Sequence, residues 1–143
     1  IGLQQFAPYL MNRIMGRYNA TLRDDLRRQG LTIPQVRALA VLSVIEGVTV
    51  NDLSVYTVIE QSTLSRTLDA LEAQGLVRRE AGDTDSRVRK VFLTEEGRAE
   101  FNRAWPPMHE AFEAMFDGID DADYAALINT LQKMLRNVRM HDI

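Results

Sequence analysis

Ser62, Ser65 and Arg66 place two short hydroxyls and a guanidinium on one short stretch of chain. At about 100° per residue of an α-helix they fall, with Asp69, on the face opposite Leu64, Leu68 and Leu71. The leucines can then be buried while the polar groups point outward. Hydroxyls and an arginine near the N-terminal end of a helix suit a DNA major groove about 12 Å wide, where they meet base edges and phosphates. The positive end of the helix dipole faces the same phosphates. A face that merely meets solvent has the same composition, so the neighbouring segment has to decide between the two uses.

That segment is cationic. Arg87 follows a turn-rich stretch, Ala81-Gly82-Asp83-Thr84-Asp85-Ser86, and Arg89 and Lys90 come just after it. Gly and Asp between two β-prone runs signal a hairpin. Arginine at such a tip can enter a narrow minor groove, where the negative potential is enhanced, and Asp85 is placed to brace the Arg87 side chain. A helix-turn-helix followed directly by a basic hairpin is far more specific than either part alone.

Other constellations point less sharply. Arg13 and Arg17, one turn apart beside Tyr9 and Met15, can hold a carboxylate against an apolar floor, although arginines on a solvated helix look the same. His109, Glu110 and Glu113 have metal-ligand chemistry, but the only other histidine is His141, so a four-ligand zinc site is not expected. There is no Gly-rich phosphate loop and no nucleophile paired with a base. The chain therefore reads as no enzyme, with no metal and no cofactor. Zero cysteines exclude disulfides, thiolate zinc sites and thiol redox chemistry.

The elements that must position these groups follow from local patterns. Leu3, Phe6, Leu10, Ile14, Tyr18, Leu22 and Leu26 step by three and four, predicting a long amphipathic helix that ends near Gly30. Thr32 and Gln35 stand in capping-box spacing with Pro34 between them, opening a second helix that stops at Gly47. A short helix is predicted from about Val50 to Val58, and another from Gln61 to Gln74 closed by Gly75. Thr94 suits an N-cap ahead of Glu95 and Glu96. That helix is expected to break or kink at Pro106-Pro107, where two donors are missing. A last helix opens at Asp120 and carries Leu127, Leu131, Met134 and Val138.

With 143 residues, a formal charge of −3 and 45% hydrophobic residues, the chain reads as one soluble domain, or two small ones, that needs no covalent staple. Charge is uneven, +1 on residues 1–60, +1 on 61–94 and −5 on 95–143. The acidic total argues against an indiscriminate nucleic-acid coat but leaves room for local basic surfaces. No apolar run reaches the ~20 residues of a membrane span, and the first stretch, which opens at Ile1 rather than Met, lacks signal-peptide features. A cytoplasmic location is expected.

Thr32-Ile-Pro-Gln35, Gln61-Ser-Thr-Leu-Ser-Arg-Thr-Leu68, Gln74-Gly-Leu-Val77 and above all Gly82-Asp-Thr-Asp-Ser-Arg87 leading to Phe92-Leu-Thr-Glu-Glu-Gly97 resemble the MarR family of bacterial transcription regulators. The resemblance spans nearly the whole chain. It implies a mainly α fold with a small β-hairpin wing, a winged helix-turn-helix carried by N- and C-terminal dimerisation helices. DNA contacts would come from Gln61, Ser62, Thr63, Ser65 and Arg66 on the reading helix and from Arg87, Arg89 and Lys90 on the wing. Residues 31–106 would form the DNA-binding region, and residues 1–30 with 107–143 the dimerisation region. Two-fold pairing of the terminal stripes would set two reading helices roughly 34 Å apart, so the partner should be double-stranded DNA bearing an inverted repeat. Members are commonly released by small aromatic or phenolic acids, for which Tyr9, Arg13 and Arg17 are the candidate contacts. Most members of such families are repressors. The competing reading is a winged-helix protein-interaction module without DNA binding.

Overall fold

The computed structural model describes residues 2–81 and 88–143. Helix α1, Ala7–Gln29, follows a single 3₁₀ turn at Leu3–Gln5. It tolerates Pro8 in its first turn, where the missing donor would have no intrahelical partner. Gly30 ends it in the left-handed conformation, φ 80°. The C-terminal half buries Leu22 and Leu26, while Leu3, Phe6, Ile14 and Met15 remain exposed. Helix α2, Ile33–Val44, opens on the expected capping box. The Gln35 amide donates to Thr32 Oγ1 at 3.2 Å, and the Thr32 amide donates to Gln35 Oε1 at 3.0 Å. It stops short of Gly47, which instead turns the chain at φ 71° into β1, Val48–Thr49. A two-residue strand carries no period, so sequence pattern does not announce it.

Helices α3, Val50–Thr57, and α4, Gln61–Ala73, form the helix-turn-helix, and Gly75 turns the chain after α4 at φ 75°. Strands β2, Val77–Ala81, and β3, Arg89–Leu93, pair antiparallel, with Val77 opposite Leu93 and Ala81 opposite Arg89. The sheet order is β1-β3-β2. The core lies between this sheet and the helices: Leu26, Leu39, Leu42, Leu53, Leu64, Leu68, Leu71, Val77 and Val91 are fully buried. Each such leucine is worth ~1.5–3 kcal/mol relative to exposure, which is why the Leu64, Leu68 and Leu71 stripe fixes which face of α4 looks outward.

The turn between α3 and α4 holds Val58 at φ 55°, with its side chain 83% exposed. A β-branched residue there pays about 1–2 kcal/mol for the left-handed conformation and gains almost no burial. Val58→Gly is therefore expected to stabilise the fold by roughly 0.5–1 kcal/mol, after the larger entropy of the unfolded glycine chain is charged against it. A shift of the urea midpoint to lower concentration would contradict this.

Thr94 caps α5, its Oγ1 accepting from the Gly97 amide at 3.0 Å. The expected break at Pro106-Pro107 does not occur, since α5 runs unbroken over Glu95–Met115. The prolines leave the carbonyls of Asn102 and Arg103 without intrahelical donors, and both residues are exposed, so water can take their place. Adjacent placement confines the loss to one turn. Packing holds the helix on both sides of it, with Ala104 buried and Phe101 and Met108 against the core. Gln29 Nε2 locks α1 to α5 by donating to the Glu100 carbonyl at 2.7 Å and to its carboxylate at 3.0 Å. Helix α6, Asp121–Val138, starts at the Asp120 cap and buries no residue at all. Tyr124 meets Phe112 and Phe116 edge-on.

Candidate nucleic-acid interface

The leucine stripe leaves Gln61, Ser62, Ser65, Arg66 and Asp69 exposed along one side of α4. Its N-cap, Glu60, makes no side-chain bond to the first turn, so amides there stay open to an external acceptor. Gln61 Nε2 donates to Asn51 Oδ1 at 2.6 Å, which ties the start of α4 to α3. Thr63 is only partly exposed, and its carbonyl accepts from Thr67 Oγ1 at 2.8 Å. Thr63 is thus less available than its neighbours.

Asp69 does not simply meet solvent. Arg79, on β2, donates to Asp69 Oδ1 and to Glu72 Oε2, both at 2.8 Å. Hydrogen bonds to Glu72 first and Asp69 second raise its pKa above the usual arginine value, so the cation persists at every working pH. This clasp ties the exposed polar face of α4 to β2. No local period signals it, because the partners lie on different elements. Arg79→Ala is expected to cost about 1 kcal/mol or less of stability, since the carboxylates are largely exposed. Arg79→Lys should not rescue it, having no fork for two acceptors. Thermal melts of the two variants compare them directly.

Arg89 is exposed, and Arg89, Arg79, Glu72 and Ser65 border one cleft of about 440 Å³. The structure therefore brings Arg89 beside α4. Lys90 is half-buried on the central strand, in register with Thr49 and Glu80. Arg78 pairs with Glu80 and lays its guanidinium 4.4 Å from the Phe92 ring centre. Asp85 and Arg87 lie outside the described residues.

Away from this face, Arg13 and Arg17 border a cleft of about 480 Å³ between α1 and α5, floored by Ile14, Tyr18, Ala111 and Met115. Tyr9 does not line it, but its hydroxyl accepts from Arg13 at 3.3 Å. His109 Nε2 lies 2.9 Å from Glu113. Among the described residues no group of three or more His, Cys, Asp or Glu side chains is arranged to hold a metal ion.

A family model described as the MarR family matches residues 29–88. A crystal structure of a MarR-family transcriptional regulator from Silicibacter pomeroyi is similar over 100% of this chain and 97% of that one, with a TM-score of 0.95 and 51% identity. The chain belongs to the MarR family. Its α3, α4, β2 and β3 form the family's winged helix-turn-helix, and as a member it is a DNA-binding transcriptional regulator. The chain is also 25% identical over 135 residues to the HTH-type transcriptional repressor IacR of Pseudomonas putida, covering 94% of this chain and 81% of that protein. A third relative is BpsR of Bordetella bronchiseptica, whose DNA binding is regulated by 6-hydroxynicotinic acid. It has a TM-score of 0.80 and 25% identity, over 94% of this chain and 96% of that one. Among the described residues of this MarR-family chain, no helix is long and apolar enough to cross a membrane.

Proposed function

We propose that the protein is a homodimeric repressor that binds an inverted-repeat operator through Gln61, Ser62, Ser65 and Arg66, with Thr63 at the margin and Arg89, Lys90 and Arg87 supporting from the wing. The observation that carries this is the exposed polar face of α4 with an uncapped first turn, held rigid by the Arg79 clasp. Rigid placement matters because base readout depends on bidentate geometry, worth ~1–3 kcal/mol per good contact. Residues 31–106 supply the reading unit, and residues 1–30 and 107–143 the dimer contacts. The likeness to IacR supports the repressor role.

Arg66→Ala is expected to cost about 1–3 kcal/mol of operator binding without loss of folding. Gel shift against the protein's own upstream region, with a salt titration, tests it. A DNA reader loses affinity steeply as salt rises, whereas an interaction module gives no specific shift. Undiminished affinity in Arg66→Ala would remove that residue from the readout.

The cleft bordered by Arg13 and Arg17 suits a small aromatic acid, its carboxylate on the guanidiniums and its ring on Ile14, Tyr18 and Met115. Tyr9 would act through its contact with Arg13. Regulation of BpsR by 6-hydroxynicotinic acid supports an effector of this class. A thermal-shift screen of hydroxylated aromatic acids should give saturable stabilisation that Arg17→Ala abolishes. Equal stabilisation of that variant would place the ligand elsewhere.

A further inference from the structure

Another cleft, of about 350 Å³, is built from the end of α5, the turn after it and the first turn of α6. Phe112, Phe116 and Tyr124 give it aromatic walls and Ile119 an aliphatic one. Glu113 and Asp121 add two carboxylates, and no Lys, Arg or His is among its lining residues. The three ring pairs meet at 53°, 79° and 88°. None stacks face to face, so π faces, the negative side of the ring quadrupole, are left to the cleft. His109 holds two of these residues in place: it stacks on Phe112 with ring centres 6.0 Å apart, and its Nε2 lies 2.9 Å from the Glu113 carboxylate. Among the described residues neither Glu113 nor Asp121 is paired with a Lys or Arg. Asp120 beside them is already occupied as the α6 cap, accepting the Asp123 amide. The surrounding segment is acidic, −5 over residues 95–143.

Aromatic faces and carboxylates without a cationic partner, gathered on one concavity, fit a cation. Two carboxylates among aromatic walls do not make a metal site, in keeping with the lack of any such group among the described residues. A primary ammonium is strongly hydrated and would have to give up its water. An alkylated ammonium spreads its charge over methyl groups that lose little hydration and lie well against ring faces. We propose that this aromatic cleft binds a quaternary ammonium compound, its methyl groups on Phe112, Phe116 and Tyr124 and its charge balanced by Glu113 and Asp121. The ligand is opposite in charge to the aromatic acid proposed for the cleft between α1 and α5, so the two clefts select different molecules. Binding here depends neither on that acid nor on the DNA-reading face.

The test is isothermal titration calorimetry of the whole protein with choline and with tetramethylammonium, against sodium chloride at matched ionic strength. A neutral control is dimethylbutanol, the choline isostere in which carbon replaces the quaternary nitrogen. The titrations are repeated on Phe112→Leu and on the double variant Glu113→Gln/Asp121→Asn. All three substituted side chains are exposed, and a thermal melt establishes that each variant is folded. Expected are saturable binding of both cations, binding of the neutral isostere weaker by roughly tenfold or more, and a loss of similar size in each variant. No saturable heat overturns the site, and is the result if a second copy of the chain fills the cleft. Equal affinity for choline and its isostere makes the cleft a plain apolar pocket and overturns the cation. A loss in the carboxylate variant with none in folded Phe112→Leu reduces the effect to surface charge, which also overturns the proposal. Undiminished affinity in the carboxylate variant removes Glu113 and Asp121 and overturns the site as drawn.

Discussion

Gly97→Ala is expected to be the most destabilising single-methyl change in this protein. Gly97 is buried in the first turn of α5, where its amide donates to the Thr94 cap. A Cβ built there would lie 2.0 Å from the Leu76 carbonyl oxygen and 2.7 Å from Leu93 Cδ1. The leucine side chain can move, but the carbonyl cannot easily do so, because it accepts the Thr94 amide at 3.1 Å. Thr94 Oγ1 also donates to the Gly75 carbonyl at 2.7 Å. Adding the methyl therefore pries apart the junction where the end of α4, the start of β2 and the N-terminus of α5 meet. Overpacking of a close-packed site costs about 1–3 kcal/mol and more when backbone must shift. That is a large share of a total stability of roughly 5–15 kcal/mol. Urea denaturation measures it, and a midpoint equal to that of the wild type would show that the junction is looser than the geometry says.

The second large effect is expected from Leu127→Glu/Leu135→Glu. The two leucines are 40% and 57% exposed on a helix with no fully buried residue, and Leu3, Phe6, Val138 and Met140 are exposed as well. Covering what remains exposed of each leucine contributes about half of the ~1.5–3 kcal/mol that complete burial is worth. Two carboxylates in a two-fold interface lose that gain and repel their symmetry mates. The double variant should sediment as a monomer at micromolar concentration. Operator affinity should fall roughly 10²- to 10⁴-fold, because the second half-site is no longer bound intramolecularly. A dimer with full operator affinity would show that α6 is not the clasp.

Much of the candidate site is legible in the sequence, because the rules that place it are local. The Thr32–Gln35 box, the Thr94 and Asp120 caps and the left-handed glycines at 30 and 75 each act within a few residues of chain. The exposed polar face of α4 follows from one leucine period. The same local logic expects a break or a kink at the prolines at 106 and 107, and the break does not occur. Their cost is real, but packing on either side of them outweighs the tendency to break. The Arg79 clasp is invisible in the sequence for a related reason. Asp69, Glu72 and Arg79 look like three ordinary surface charges until a helix and a strand bring them within 2.8 Å.

Sequence alone determined which face of each helix is apolar, where the capped helices begin, and that two hydroxyls and an arginine share one outward side of α4. Those follow from the fixed angular step of the helix and from capping chemistry, which needs no distant partner. Tertiary structure alone decided that α5 continues through two prolines, that Arg79 ties α4 to β2, and that Arg23, Arg27 and Arg37 line one cleft. Each of these depends on the crossing of elements far apart in the chain, and crossing geometry is set by how side chains interlock in the core.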